Sequence, residues 1–149
     1  TTVIVGFPGE KNHHFQNLMN LLAELDFDRV GAFMYSREEG TEAATLPNHV
    51  SGRIKEKRYR TVIDWASERQ LSKNERMVGD ILPVLIDRSD AEGGGYWGRY
   101  PGQAPEIDGQ VHVRGDKLIT GRFAPVRIAS ADEENLYGYV NTDIVVVRE

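Results

Sequence analysis

Two short segments of the chain place glycine or a cation where a predicted strand ends. Gly6-Phe7-Pro8-Gly9 closes the apolar run of residues 2–7, and Tyr35-Ser36-Arg37 closes a second run at residues 29–35. The first turn could present backbone N–H groups to an anion, or could simply need glycine for a positive φ. The planar guanidinium of Arg37 could bind a carboxylate or phosphate, or pair with a glutamate of its own loop. Spacing alone leaves these alternatives open.

A pair of carboxylates lies in the second half of the chain. Glu106 and Asp108 are two residues apart, so both would point the same way in an extended segment. Paired carboxylates can do acid–base chemistry. Because these two adjoin Gly109, we favour a turn or an acidic docking surface over a catalytic pair.

The composition excludes several kinds of site. The 149 residues include no cysteine, which rules out disulfides, thiolate catalysis and cysteine-ligated metal within this chain. His13 and His14 would diverge by about 100° on a helix, and His49 and His112 stand alone, so no histidine metal site is expected. No run approaches the roughly 18 apolar residues that cross a bilayer. The sequence predicts a soluble protein without a membrane partner.

The first part of the chain has the pattern of an α/β unit. The apolar run of residues 2–7 is typical of a strand buried on both faces in a parallel sheet. Residues 10–25 are predicted as a helix from a stripe at helical spacing. The stripe is formed by Phe15, Leu18, Met19, Leu22 and Leu25. With a second strand at residues 29–35, the pattern predicts a β-α-β unit with a parallel crossover.

A long polar helix is predicted over residues 49–77, after a loop at residues 36–48. Four basic residues cluster near its start, namely Lys55, Lys57, Arg58 and Arg60. We favour a solvated helix face as the role of this cluster over a binding patch.

After Val78-Gly79 the pattern changes to short strands separated by glycine-rich turns. Five strands are predicted, at residues 81–87, 96–100, 110–114, 123–130 and 136–147. Their spacing is typical of a small antiparallel barrel. The sequence therefore predicts two domains, an α/β domain at residues 1–78 and an all-β domain at residues 79–149.

Charge separates the two predicted domains. Residues 1–78 carry no net charge, so the whole net charge of −5 belongs to residues 79–149. Tyr96, Trp97 and Tyr100 form an aromatic cluster in this acidic half, and such clusters can stack single-stranded bases. Because phosphate contacts dominate nucleic-acid affinity, the charge argues against RNA binding by the barrel. Packing in the core or at the rim is the favoured role of the aromatic residues.

Three segments, in this order, resemble the radical-SAM methylthiotransferases. They are Val3–Glu10, Tyr35–Thr41 and Ala104–Gly109. The second is similar to the branch that modifies an aspartate of a ribosomal protein, because tRNA-modifying relatives more often carry proline between the serine and the arginine. By the same resemblance, the first two strands are the fifth and sixth of a TIM-like radical-SAM barrel. Residues 79–149 resemble a TRAM domain, an OB-like five-stranded barrel.

The resemblance implies particular cofactors and site residues. In this family a reduced 4Fe–4S cluster cleaves S-adenosylmethionine, and a second 4Fe–4S cluster supplies sulfur. The cysteine ligands of both clusters are absent from this chain, which implies no catalytic residue within it. By the match, the residues that bind S-adenosylmethionine are Ile4, Gly6, Tyr35, Ser36 and Arg37. Ile4 and Gly6 would line the adenosine pocket, and the other three would close the site.

The resemblance also implies a partner, a small-subunit ribosomal protein docked near Glu106 and Asp108. We expect the C-terminal segment of a cytoplasmic enzyme, cut at position 1 because Thr1 already lies in a strand. Alone, this segment is expected to be inactive. Two alternatives stay open. One is a non-catalytic TRAM module that binds RNA or protein, and the other is the tail of a tRNA methylthiotransferase.

Overall fold

The structure is a computed structural model that describes residues 1–140. The chain forms two compact units, Thr1–Arg69 and a second unit from Gln70 onward. The elements are β1 (Thr2–Val5), α1 (Asn12–Leu25), β2 (Gly31–Met34), α2 (Glu42–Thr45), α3 (Gly52–Arg76), β3 (Ile81–Ser89), β4 (Tyr96–Arg99), β5 (Val111–Arg114), β6 (Phe123–Ala131) and β7 (Leu136–Val140). The division between the units falls at residues 69–70, within the span of α3, and the predicted domain boundary at residue 79 stays a prediction.

The first unit contains the expected parallel β-α-β arrangement. Strands β1 and β2 pair in parallel from Thr2 opposite Gly31 to Val5 opposite Met34, and α1 makes the crossover. The fully buried part of the core consists of Val5, Leu22, Ala32 and Val62. Membership of this unit in a radical-SAM barrel stays a prediction.

Only one face of the β1–β2 sheet is covered. Successive strand residues point to opposite faces, so Val5 and Ala32 lie in the core while Ile4 and Phe33 face outward. Their exposed fractions are 58% and 66%. The prediction of a strand buried on both faces is therefore wrong for β1 within the described chain.

The second unit is a closed barrel in the order β3-β4-β5-β7-β6, as predicted in strand number. The prediction that it is antiparallel throughout is wrong at one pairing, because β5 and β7 run parallel. Alternating directions cannot close a ring with an odd number of strands, so five strands need one parallel pair. The predicted extension of the last strand to residue 147 lies outside the described residues. The buried core is formed by Val84, Ile86, Val111, Val113, Ala124, Val126, Ile128 and Leu136.

Glycines bring the barrel strands together at two bulges. Gly98 of β4 lies opposite Ile86, where the register with β3 shifts. Gly138 of β7 lies opposite Ile128, where the register with β6 shifts. A Cβ at either glycine would overlap a backbone carbonyl oxygen of the neighbouring strand. Bulges opposite glycine let a short sheet bend sharply enough to close.

We expect Gly138→Ala to destabilise the barrel by about 1–3 kcal/mol, because the methyl group overpacks against the carbonyl oxygen of Arg127. The measurement is urea unfolding followed by Trp97 fluorescence in a Trp65→Phe background. Gly52→Ala is the matched control, since a Cβ at Gly52 meets no atom within 4 Å. Equal unfolding midpoints for the two variants would contradict the packing role of Gly138.

Candidate functional site

The carboxyl edge of the β1–β2 sheet brings together two of the predicted site residues. The N–H of Tyr35 donates to the carbonyl oxygen of Val5 at 2.9 Å, which continues the parallel ladder beyond β2. Gly6 has a φ of 78°, a left-handed conformation that favours glycine and turns the chain toward α1. Gly6 and Tyr35 therefore lie side by side where parallel sheets commonly bind ligands.

Lys55 of α3 covers this edge. Its Nζ donates to the carbonyl oxygen of Tyr35 at 2.8 Å and lies 5.8 Å from the centroid of the Tyr35 ring. Its aliphatic chain packs so closely on Gly6 that a Cβ there would overlap the lysine Cγ. The space over Gly6 is thus filled by a lysine that sequence reasoning placed in a solvated cluster. Sequence periodicity could not reveal this, because Lys55 turns inward through a hydrogen bond to a carbonyl 20 positions away in the sequence.

An aromatic group surrounds the same edge. The rings of Phe7 and Tyr35 meet edge to face with centroids 5.3 Å apart, and His49 stacks on Tyr35 at 6.1 Å. The hydroxyl oxygen of Tyr35 is buried and has no hydrogen-bond partner in residues 1–140. The site therefore contains flat ring surfaces and one unsatisfied polar atom, which together suit a planar heterocyclic ligand.

A buried ion pair holds this region in place. Arg58 Nη1 donates to Glu10 Oε1 at 2.6 Å, and the two side chains are 6% and 12% exposed. The other carboxylate oxygen of Glu10 accepts from the N–H of Gly6 at 2.9 Å. Arg58 Nη2 also donates to Asn12 Oδ1 at 3.0 Å. The pair thus ties the turn after β1 and the start of α1 to α3. Its members are 48 positions apart in the sequence, so no local sequence pattern could reveal the pair.

The remaining predicted site residues lie apart from Gly6 and Tyr35. Ile4 is exposed on the open face of the sheet, and Ser36 and Arg37 are exposed beyond β2. Arg37 lines an open cleft of about 730 Å³ beside α2. Within residues 1–140 it forms no ion pair with the neighbouring glutamates. The contribution of these residues to cofactor binding stays a prediction.

In the barrel, the two carboxylates of the predicted pair, Glu106 and Asp108, have different surroundings. The N–H of Asp108 donates to the carbonyl oxygen of Ala104 at 3.2 Å, and the N–H of Ala104 donates to Asp108 Oδ2 at 2.7 Å. The segment is therefore the turn that sequence analysis favoured, not an extended strand. Asp108 closes the turn, whereas Glu106 and Ile107 are exposed, Ile107 by 84%. A docking role for Glu106 and Asp108 stays a prediction.

This turn borders a small cavity of about 160 Å³ that contains two arginines. Arg99 Nη1 donates to Asp87 Oδ1 at 2.6 Å, and Arg88 Nη2 donates to Gln110 Oε1 at 2.9 Å. Both guanidinium groups thus pair with other side chains of the second unit, so neither arginine of this cavity is an unpaired cation.

Aromatic side chains form a ladder across the barrel surface. Trp97, His112 and Tyr137 are successive cross-strand partners on β4, β5 and β7. The ring centroids of Trp97 and His112 are 4.8 Å apart, and those of His112 and Tyr137 are 6.2 Å apart. Tyr96 and Tyr100 instead pack against the barrel core. The predicted core or rim packing therefore describes those two tyrosines, and Trp97 belongs to the ladder.

Aspartates brace the ladder at two points. Asp90 Oδ2 lies 3.2 Å from His112 Nε2, and the N–H of Gly93 helps to lower the pKa of Asp90. Asp132 is partly desolvated, which opposes ionisation. Its hydrogen bonds from the N–H of Asn135 and the hydroxyl of Tyr137 prevail and lower the pKa of Asp132. The same bond to Asp132 raises the pKa of Tyr137.

Comparison with known proteins finds one matching domain family and a set of similar proteins. Residues 78–140 match the TRAM domain family. Over 140 residues, or 93% of its length, the chain is 43% identical to the ribosomal protein uS12 methylthiotransferase RimO of Desulforamulus reducens. It is 40% identical to the protein of that name from Thermosynechococcus vestitus over 97% of its length. It is also 44% identical to that of Pelotomaculum thermopropionicum over 93%.

The chain is RimO-like. It matches the C-terminal portion of the RimO proteins and spans about a third of their length, 32% in each of these three. Within residues 1–140 of this RimO-like chain, no group of three metal-binding side chains is present. None of the described helices combines the length and the apolar character needed to cross a membrane.

We expect Arg58→Met to destabilise the first unit by about 3–5 kcal/mol, because it leaves the Glu10 carboxylate buried without a counter-charge. Adding Glu10→Gln should recover a large part of this loss, since the double variant buries no unpaired charge. The measurement is urea unfolding followed by Trp65 fluorescence in a Trp97→Phe background. Additive effects of the two substitutions would show that the pair is not energetically coupled.

We expect the barrel to lose stability below about pH 4, in part because Asp132 must be protonated there. Its pKa is lowered by folding, so its contribution is present above the pKa of the unfolded chain and disappears as pH falls through the folded value. Asp132→Asn should flatten this part of the acid dependence in thermal unfolding between pH 5 and pH 2. Asp116→Asn, at an aspartate to which no hydrogen bond is donated within residues 1–140, serves as the control for the loss of one carboxylate.

Proposed function

We propose that this chain acts as the C-terminal portion of a uS12 methylthiotransferase that converts an aspartate C–H to C–SCH₃. The observation that carries the proposal is the identity of 40–44% to RimO proteins across at least 93% of the chain. The TRAM match of residues 78–140 supports it. Such identity over two structural units makes a shared role far more plausible than a shared fold alone.

We propose that the carboxyl edge of β1 and β2 contributes part of an S-adenosylmethionine site. The aromatic group of Phe7, Tyr35 and His49 and the buried Tyr35 hydroxyl suit a purine. Lys55 lies over Gly6, so a ligand that reaches Gly6 would displace its flexible chain. By the family match, Ile4 and Gly6 would line the adenosine and Ser36 and Arg37 would close the site. When bound, S-adenosylmethionine supplies the radical and the methyl group.

The two 4Fe–4S clusters have no place on this chain. It contains no cysteine, and iron–sulfur clusters are held by cysteine thiolates. The role of this chain is to help bind the cofactor, orient the substrate and exclude water.

We propose that the acidic barrel docks the ribosomal protein. Ribosomal proteins are commonly basic, and complementary charge steers such partners together. Glu106 is exposed on a turn whose shape is fixed by Asp108. Glu106 would therefore contact the ribosomal protein, and Asp108 would hold Glu106 in position. The net charge of −5 in this half of the chain is of the right sign.

The test is a chimera in which this chain replaces the matching portion of the RimO of Desulforamulus reducens. We expect the reconstituted chimera to methylthiolate uS12, detected by mass spectrometry, and this chain alone to be inactive. Arg37→Ala should raise the KM for S-adenosylmethionine, and Glu106→Lys should raise the KM for uS12. Arg114→Ala, at an exposed residue outside both regions, is the control.

A folded chimera that modifies tRNA and not uS12 would support the alternative of a tRNA methylthiotransferase. A folded, cluster-loaded chimera without either activity, whose chain still binds RNA or protein, would support the non-catalytic TRAM module. Either result would overturn the proposal.

A further inference from the structure

The basic residues at the start of α3 do not form one solvated face. Three of the four have internal partners: Lys55 bonds a backbone carbonyl, Arg58 a buried glutamate, and Arg60 the glutamate one turn before it. The fourth, Lys57, and the nearby Arg53 are exposed, and neither forms an ion pair in residues 1–140. The free positive charge of this region is thus concentrated on Arg53 and Lys57.

These two cations line a groove of about 610 Å³ between α1 and α3. Along its α3 wall, Arg53, Lys57 and Thr61 follow one another at intervals of four residues, a track of about 12 Å. Asn12 and Gln16 form the opposite wall. The remaining lining residues are Phe15, Ile54 and Arg58. Among the described residues, none of those that line the groove is acidic, although the whole chain carries a net charge of −5.

We propose that this groove binds single-stranded RNA. Arg53 and Lys57 lie about 6 Å apart along the helix, so each can contact a separate phosphate of one strand. An arginine fork and a lysine ammonium are the usual phosphate ligands. Ile54, which is exposed, offers apolar surface to a base or ribose.

The amide wall favours RNA over an acidic peptide. Gln16 Nε2 donates to Asn20 Oδ1 at 3.1 Å, which leaves Gln16 Oε1 as an acceptor without a partner in residues 1–140. Asn12 Oδ1 accepts from Arg58, so the amide hydrogens of Asn12 remain as donors. Base edges and ribose hydroxyls supply both donors and acceptors at every nucleotide, whereas an acidic peptide has acceptor-only side chains and donates only through its backbone N–H groups. The groove offers RNA both an acceptor, Gln16 Oε1, and donors, the amide hydrogens of Asn12.

The experiment is a fluorescence anisotropy titration of the full chain with a labelled twelve-residue oligouridylate at several salt concentrations. Two phosphate contacts contribute a slope of about −1.4 to the plot of log affinity against log salt. For these contacts alone, affinity falls about sevenfold between 50 and 200 mM salt. Arg53→Ala/Lys57→Ala should weaken binding at 50 mM salt by about tenfold and reduce the slope by about 1.4.

Arg60→Ala/Arg114→Ala is the matched control, because it removes the same charge from exposed positions outside the groove. It should keep the slope of the unmodified chain. All four substitutions are at exposed side chains. Three of them are in α3, where alanine is favourable, and Arg114 ends strand β5, so circular dichroism should show both variants folded. Asn12→Ala/Gln16→Ala provides a third variant, which should weaken binding without changing the slope.

Three outcomes would overturn the proposal. One is an unmodified chain that does not bind the oligonucleotide at 50 mM salt. Another is an equal loss of affinity in the groove variant and the control, which would indicate net charge alone. The last is preferential binding of an oligoglutamate of equal length, which would assign the groove to an acidic peptide. The proposal does not rest on the proposed enzymatic function, because methylthiolation by the chimera is measured separately and does not depend on the outcome of this titration.

Discussion

The buried pair of Glu10 and Arg58 is the interaction on which the first unit depends. An ion pair out of water is stable only when its remaining hydrogen-bonding groups are also satisfied. Here the N–H of Gly6 and the amide of Asn12 complete the set. The consequence is geometric, because one carboxylate fixes the turn after β1, the start of α1 and the near end of α3 together. Lys55, three residues before Arg58, is thereby brought over the sheet edge.

In the barrel the corresponding constraint is closure. A ring of five strands must contain a parallel pair, and a ring this small must bend sharply. The parallel pairing of β5 with β7 meets the first requirement, and the bulges opposite Gly98 and Gly138 meet the second. Gly109 is also closely packed, since a Cβ there would overlap the carbonyl oxygen of Glu134. The Ala104–Gly109 segment therefore has a structural reason for its glycine, separate from any docking role.

Much of the fold could be predicted because it depends on local periodicity. The stripe through Leu22 marked α1, and the glycine-punctuated apolar runs after Gly79 marked all five barrel strands. The parallel β5–β7 pairing could not be predicted from strand propensity, because direction is a property of the closed ring. The open face of Ile4 and Phe33 was missed for a similar reason. A continuous apolar run indicates a strand but does not say what covers it.

The candidate site was less predictable than the fold. Gly6 and Tyr35 were found because they end neighbouring parallel strands, a rule of topology that sequence order preserves. Glu10 and Arg58 were missed because their contact spans 48 residues, and charged residues in polar helices are usually solvated. For Asp108 a turn and a docking surface were both predicted, but the spacing did not show that its carboxylate turns back to the N–H of Ala104. In each case the missing information was long-range geometry or the local backbone conformation.

The uncovered face of the β1–β2 sheet has a consequence for the behaviour of this chain in solution. Ile4 and Phe33 present adjoining apolar surface, and among the described residues no third strand pairs with either edge of the sheet. Unpaired edges beside apolar surface are templates for association between molecules. The colloidal stability of the isolated chain should therefore depend on its concentration, and mutual repulsion of the acidic barrels would provide the opposing force. Raising the ionic strength would screen that repulsion without weakening the apolar contact, so this acidic protein should be more prone to self-association in high salt than in low salt.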